Sequence, residues 1–222
     1  MKKLLNVSTV SYILGLLILP LGVALMERAD FGVSMIVAPA YVVFRFLSAF
    51  LPWFTFGTAE YLLQALLLVA LMLILRKFRV SYLFSFVTVL IYGVILDLWM
   101  MPMQCVPVDE LWVRILLYVV GLVISSLGVA FFFHTNIPPE VYELFVKEVS
   151  LQKNIPLTKF KTFYDCCSCA AGVILSFALF GFGQFVGVNW GTVVAAVING
   201  WIIGRCSALI DWVIAGRQKN AG

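Results

Sequence analysis

Charge is what this sequence has least of. Only 12% of its 222 residues are Asp, Glu, Lys or Arg, where a soluble domain carries roughly a quarter. Histidine is nearly absent, with His134 alone, which limits proton-shuttle enzymology. No phosphate-cradling glycine loop, no HExxH and no Ser/His/Asp set occurs, so the chain reads neither as an enzyme nor, by itself, as an ATP-driven pump. No cofactor is implied. A small-x-small cleavage site is missing after the first apolar run, which ends in Glu27, Arg28 and Asp30. Residues 1–26 are therefore not expected to be a cleaved signal peptide, despite Lys2 and Lys3.

Apolar side chains fill the space that charge leaves: 63% of residues are hydrophobic and the mean hydropathy is +1.06. Lipid, not water, is the expected solvent. A span takes roughly 20 apolar residues, so six helices and their loops use the whole length as one membrane domain over residues 1–222. The net charge of +4 does not point to nucleic acid, because the basic residues sit in loops between apolar segments. Of Cys105, Cys166, Cys167, Cys169 and Cys206, four fall in or at the ends of predicted helices, unlike a secreted disulfide framework.

The expected fold is all-α and polytopic, with spans at residues 10–26, 58–75, 82–101, 111–133, 164–182 and 191–214. A seventh apolar stretch, 34–50, contains Pro39 and Arg45. A cytoplasmic N-terminus puts Lys2, Lys3, Arg76, Lys77, Arg79, Lys147, Lys153, Lys159, Lys161, Arg217 and Lys219 on the inner side. Arg28, Arg45 and Arg114 fall outside. Eleven against three is a positive-inside bias, so both termini are expected in the cytoplasm of a bacterial inner membrane.

Residues 15–24 align with 121–130 at seven of ten positions. The same offset of about 106 pairs Glu60 with Asp165 and Gly93 with Gly200. Two repeats, about 8–104 and 110–216, each hold three spans, so the second enters from the opposite face and the copies are inverted. That arrangement gives one scaffold equivalent outward and inward states; duplication as a plain route to a stable bundle is the alternative. Stretch 34–50 corresponds to 139–151, whose Glu140, Glu143, Lys147 and Glu148 would be costly in lipid. Both are expected to be interfacial or re-entrant helices. In the second, Val141, Leu144, Phe145 and Val149 share one face and the charges the other, the pattern of an amphipathic interfacial helix.

Gly15 with Gly22, and Gly121 with Gly128, form stripes along which the first and fourth spans are expected to pack. Ionisable groups within spans are functional candidates: Glu60, Asp97, Asp165, Arg205 and Asp211. Glu60 and Asp165 occupy equivalent places near opposite membrane faces, as site residues or as carboxylates favoured at a helix N-terminus. Asp97, four residues after Gly93, and Arg205, five after Gly200, are candidates to neutralise each other, with Asn199 nearby. Ser34 and Glu140 introduce the short helices, where free N–H groups either start the helix or meet an anionic solute. Cys166 and Cys169 share a helix face, but zinc needs about four ligands, so packing is the simpler reading and no metal is implied. Trp53, Trp99, Trp112, Trp190 and Trp212 read as interfacial anchors.

Leu21-Gly-Val-Ala, Ala29-Asp-Phe-Gly-Val-Ser34, Phe56-Gly-Thr58, Tyr92-Gly-Val-Ile-Leu-Asp97 and Val188-Asn-Trp-Gly-Thr192 with Asn199-Gly200 resemble the YczE-like branch of the YczE/YyaS/YitT group of bacterial membrane proteins. The resemblance covers nearly the whole chain and implies a multi-spanning inner-membrane fold more than an activity. The chain departs from that pattern at Pro138-Pro-Glu140, which stands in place of a Gly-Pro-Arg-Asp-like turn. The expected function is a secondary transporter or facilitator of a small solute or ion. The competing expectation is a non-transporting accessory protein that docks a partner membrane protein through 139–151. The lipid bilayer is the implied surrounding, and the glycine stripes permit a homodimer.

Overall fold

The computed structural model describes residues 2–76 and 79–219. Eight helices follow in order: α1 (Lys2–Ala29), α2 (Ala38–Leu47), α3 (Phe56–Leu75), α4 (Val80–Met103), α5 (Leu111–Phe133), α6 (Val141–Lys153), α7 (Leu157–Phe180) and α8 (Trp190–Lys219). No strand occurs among the described residues. Lys77 lies outside them, as do the side chains of Lys2, Lys3, Arg217 and Lys219.

Six of these helices are long and apolar enough to cross a membrane. This is a multi-pass membrane protein. The spans follow the apolar runs closely except at α7, which begins at Leu157 rather than at residue 164. Lys161, expected among the loop cations, lies within that helix and is fully buried. The reason is local: Asp165, one turn further on, faces it at 2.9 Å, so the charge enters the interior with a partner.

α1 and α5 form the centre of the molecule. Their glycines bring the backbones together: a Cβ at Gly121 would stand 2.8 Å from the Gly22 carbonyl oxygen, and one at Gly128 only 2.6 Å from the Leu19 amide nitrogen. A Cβ at Gly15 would meet the Phe132 ring at 2.7 Å. Small residues at a helix crossing allow this approach, and the stripes are consumed within one chain. α4 packs on α1 and α8 on α5, while α2 packs on α3 and α7 and α6 packs on α7 and α3. Replacing each helix by the one four places along maps these packings onto one another.

The two short helices do not cross. α6 spans about 20 Å at 1.5 Å per residue, against a hydrocarbon core of about 30 Å. Its expected amphipathic, surface-lying arrangement is overturned: Val141, Tyr142, Glu143, Leu144, Val146, Val149 and Ser150 are all buried. Two charged groups on the remaining sides find partners within the fold. Lys147 donates to the Thr135 carbonyl at 2.8 Å, and Glu148 accepts from the Tyr82 hydroxyl at 3.1 Å and pairs with Arg79 at 3.6 Å. Asn154 ends the helix in the left-handed region, φ 53°, and the Ile155 amide closes the turn onto the Ser150 carbonyl at 3.1 Å. The chain then returns as α7, which places α6 residues beside Lys161.

Candidate functional site: a buried carboxyl cluster

Where α6 meets α3 and α7, four buried carboxyl groups and one amine form a connected cluster. Glu60, Glu140, Glu143, Asp165 and Lys161 are each at most 5% exposed. Lys161 Nζ is 2.9 Å from Asp165 Oδ1 and 3.8 Å from Glu143 Oε1. Asp165 Oδ2 accepts from the Asn199 amide of α8 at 3.1 Å, and the Ser126 hydroxyl of α5 donates to the Asn199 carbonyl oxygen at 2.7 Å.

On the other side of α6, Glu60 Oε2 accepts from the Tyr142 hydroxyl at 3.0 Å and from the Gln64 amide at 3.3 Å. The Gln64 carbonyl oxygen in turn accepts from the Val141 backbone N–H at 3.1 Å, one of the orphan donors at a helix start. The cap of α6 is therefore supplied by α3. Because Tyr142 and Glu143 are neighbours on α6, the two halves of the network meet there. Glu60 and Asp165, expected near opposite membrane faces, belong to one cluster, and neither caps its helix.

Acid outnumbers base in this cluster, and one buried ammonium cannot neutralise four carboxylates. Leaving an unpaired carboxylate in the interior costs several kcal/mol, so such groups neutralise. Burial pushes the carboxyls of Glu140 and Glu143 up, reinforced at Glu140 by the neighbouring Glu143 and opposed by Lys161. The two carboxyls lie close enough to act on each other. Glu140 Oε2 and both Glu143 oxygens lack a hydrogen-bond donor. A proton on either carboxyl would remove one unpaired buried charge. Chemically, such a cluster can take up and release protons.

A cavity of ≈ 20 Å³, lined by Glu60, Tyr61, Gln64, Tyr92, Gly93 and Asp97 among others, adjoins the cluster on its α4 side. It has room for about one water. Tyr61 fills the space that Gly93 leaves open. A larger opening of ≈ 300 Å³ lies at the far end of α1, between Glu27, Asp30, Tyr41, Arg45, Gly187 and Asn189.

Of the residues singled out in the sequence, Glu60, Glu140, Asp165 and Asn199 converge on the cluster. Ser34 does not: its hydroxyl points to the Met35 sulfur and its carbonyl accepts the amides that begin α2. Asp97 and Arg205 are exposed and do not pair; Arg205 instead lies 5.2 Å from the Trp201 ring. The helix phase explains the miss, because their neighbours Leu96 and Cys206 take the inward positions. Gly200 faces Thr162 and Thr158 of α7, and Asp211 pairs with His134 at 3.0 Å. Cys169 is buried while Cys166 and Cys167 are exposed. Gln64, Tyr142, Glu143, Lys161 and Ser126 enter the site without having been expected there. The i,i+4 spacings of Glu60–Gln64 and Lys161–Asp165 were the available signal.

Residues 7–208 match the model of a family of unknown function, DUF6198. No curated protein and no solved structure matches.

Proposed function

This chain belongs to the DUF6198 family, to which no function is attached, and we propose from its buried cluster that it is a proton-coupled secondary transporter of a small solute. The observation that carries the proposal is the excess of buried acid over base in the cluster that contains Lys161. A purely structural core gains nothing from four buried carboxyls, since well-packed apolar residues are as stable or more so, whereas intramembrane carboxyls that load and release protons are the working parts of coupled carriers.

The exchange of packings between α1–α4 and α5–α8 supports an inverted duplication, residues about 8–104 and 110–216, with the cluster near the repeat interface. The loop cations, without Lys161, still favour both termini in the cytoplasm, and the YczE-like resemblance favours a bacterial inner membrane. The burial of most of α6 favours transport over the reading in which it docks a partner, although its last turn, with Leu151 68% exposed, stays open.

The test uses protein reconstituted into vesicles that enclose a pH-sensitive dye, challenged in turn with amino acids, organic cations and carboxylates. The expected result is a solute-dependent pH change that disappears in Glu143→Gln and Asp165→Asn. A response that survives in both variants would remove the cluster from the mechanism. No response to any class, with carboxyl infrared bands that do not move between acid and alkaline buffer, would sink proton coupling altogether.

A further inference from the structure

We infer that two copies of this chain associate through α4 and α8, with Asp97 of each copy paired to Arg205 of the other. Both residues sit well inside spans, at Tyr82–Met103 and Trp190–Gly216. Both are exposed, Asp97 at the rim of the small cavity beside Glu60 and Tyr61, and neither has an ion-pair partner among the described residues. A charge facing hydrocarbon is costly within a span, and two opposite charges left this way call for each other.

Their depths agree. α4 runs alongside α1, with Thr88 bonded to Tyr12 and Val106 to Arg28, so Asp97, midway between, lies level with Pro20. α8 runs alongside α5, with Asn199 bonded to Ser126 and Asp211 to His134. α5 lies antiparallel on α1, with Gly121 and Ser125 at Gly22 and Phe132 at Gly15, which puts Arg205 level with about Leu17. Three residues of rise are about 4.5 Å, within the span of an arginine side chain, and both levels lie near the middle of Val7–Ala29.

α4 and α8 back onto the same part of the molecule. Tyr92 and Leu96 of α4 and Ile203 and Cys206 of α8 belong to one apolar cluster with α1 and α5. A twofold axis along the membrane normal keeps depth and lays α4 of one copy on α8 of the other. Asp97 then meets Arg205 twice, the reciprocity that an isologous interface requires. The surroundings suit a protein partner: Trp201 is 64% exposed at this level and stacks on Arg205, and tryptophan and arginine are the residues that anchor interfaces. The glycine stripes take no part, being used between α1 and α5. This inference is independent of the transport reading.

The test counts subunits of fluorescently labelled protein by single-molecule photobleaching in phosphatidylcholine vesicles at high lipid-to-protein ratio. Wild-type protein is expected to bleach mainly in two steps. Asp97→Arg alone and Arg205→Asp alone are each expected to lower dimer association at least tenfold. Mixing the two variants, in different colours, is expected to restore dimers of mixed colour, because each chain then carries two like charges that the other complements. Where either variant is poorly folded, Asp97→Asn and Arg205→Gln are expected to weaken association in the same direction. Single-step bleaching of the wild type, unchanged association in the variants, or no mixed-colour gain would each overturn the inference.

Discussion

Lys161 and Asp165 stand one turn apart on α7 and form an ion pair of 2.9 Å in which neither side chain reaches the surface. Removing one partner of such a pair leaves the other charge stranded. Lys161→Met is expected to destabilise the fold by about 3–5 kcal/mol, read as unfolding in mixed micelles. The double change Lys161→Met with Asp165→Leu is expected to cost less than Lys161→Met alone. A larger loss in the double variant would mean that the pair itself, rather than the stranded carboxylate, sets the stability.

Glu140 makes stability depend on pH with a definite sign. Burial raises its carboxyl above the ordinary 4.5, so the folded state binds the proton more tightly than the unfolded one. Its stabilising contribution is complete below the ordinary value and is lost as pH rises through the raised one; Glu143, raised likewise, adds in the same direction. The melting temperature is expected to fall as pH is raised from about the ordinary carboxyl value, and Glu140→Gln is expected to flatten that slope. A wild-type profile already flat over this range would contradict the assignment.

At the α1–α5 crossing, a side chain at Gly22 would run into the backbone of α5, with the Gly121 carbonyl oxygen at 2.7 Å and the Ser125 amide closer still. Gly22→Leu is expected to cost about 1–3 kcal/mol or more. Gly57→Ala serves as the control, since its nearest new contact is at 3.8 Å, and its unfolding curve should overlie that of the wild type.

The Tyr142 hydroxyl and Glu60 are joined across α6 and α3 at 3.0 Å. Tyr142→Phe leaves a buried carboxyl oxygen without that donor, an expected loss of about 1–3 kcal/mol. In a double-mutant cycle with Glu60→Leu, the two losses should fall short of additive; strict additivity would show that the contact carries no energy.

The six spans were legible because each is a local run of apolar residues, and the α1–α5 contact because its glycines recur on one helix stripe. α6 was misread for the opposite reason. Its sequence alternates charge and apolarity like a surface helix, and what draws Glu143 inward is Lys161, on the next helix, while Gln64, on a helix far back in the chain, anchors the first turn. The repeat offset failed in a similar way for Asp97 and Arg205: it brought them together on paper, but helix phase left both exposed, with Asp97 at the rim of the cavity beside Glu60. Four of the seven candidate site residues nonetheless meet at one place, since a carboxyl or amide inside a span must find polar company somewhere in the bundle.

The glycine contact between α1 and α5 has a mechanical consequence. Two backbones pressed together at Gly22, Gly121 and Gly128 interlock like teeth, so neither helix slides or rolls on the other without its carbonyls colliding. The central pair is thus a close-fitted post, and Lys161 and its carboxyls lie outside it, on or beside α3, α6 and α7.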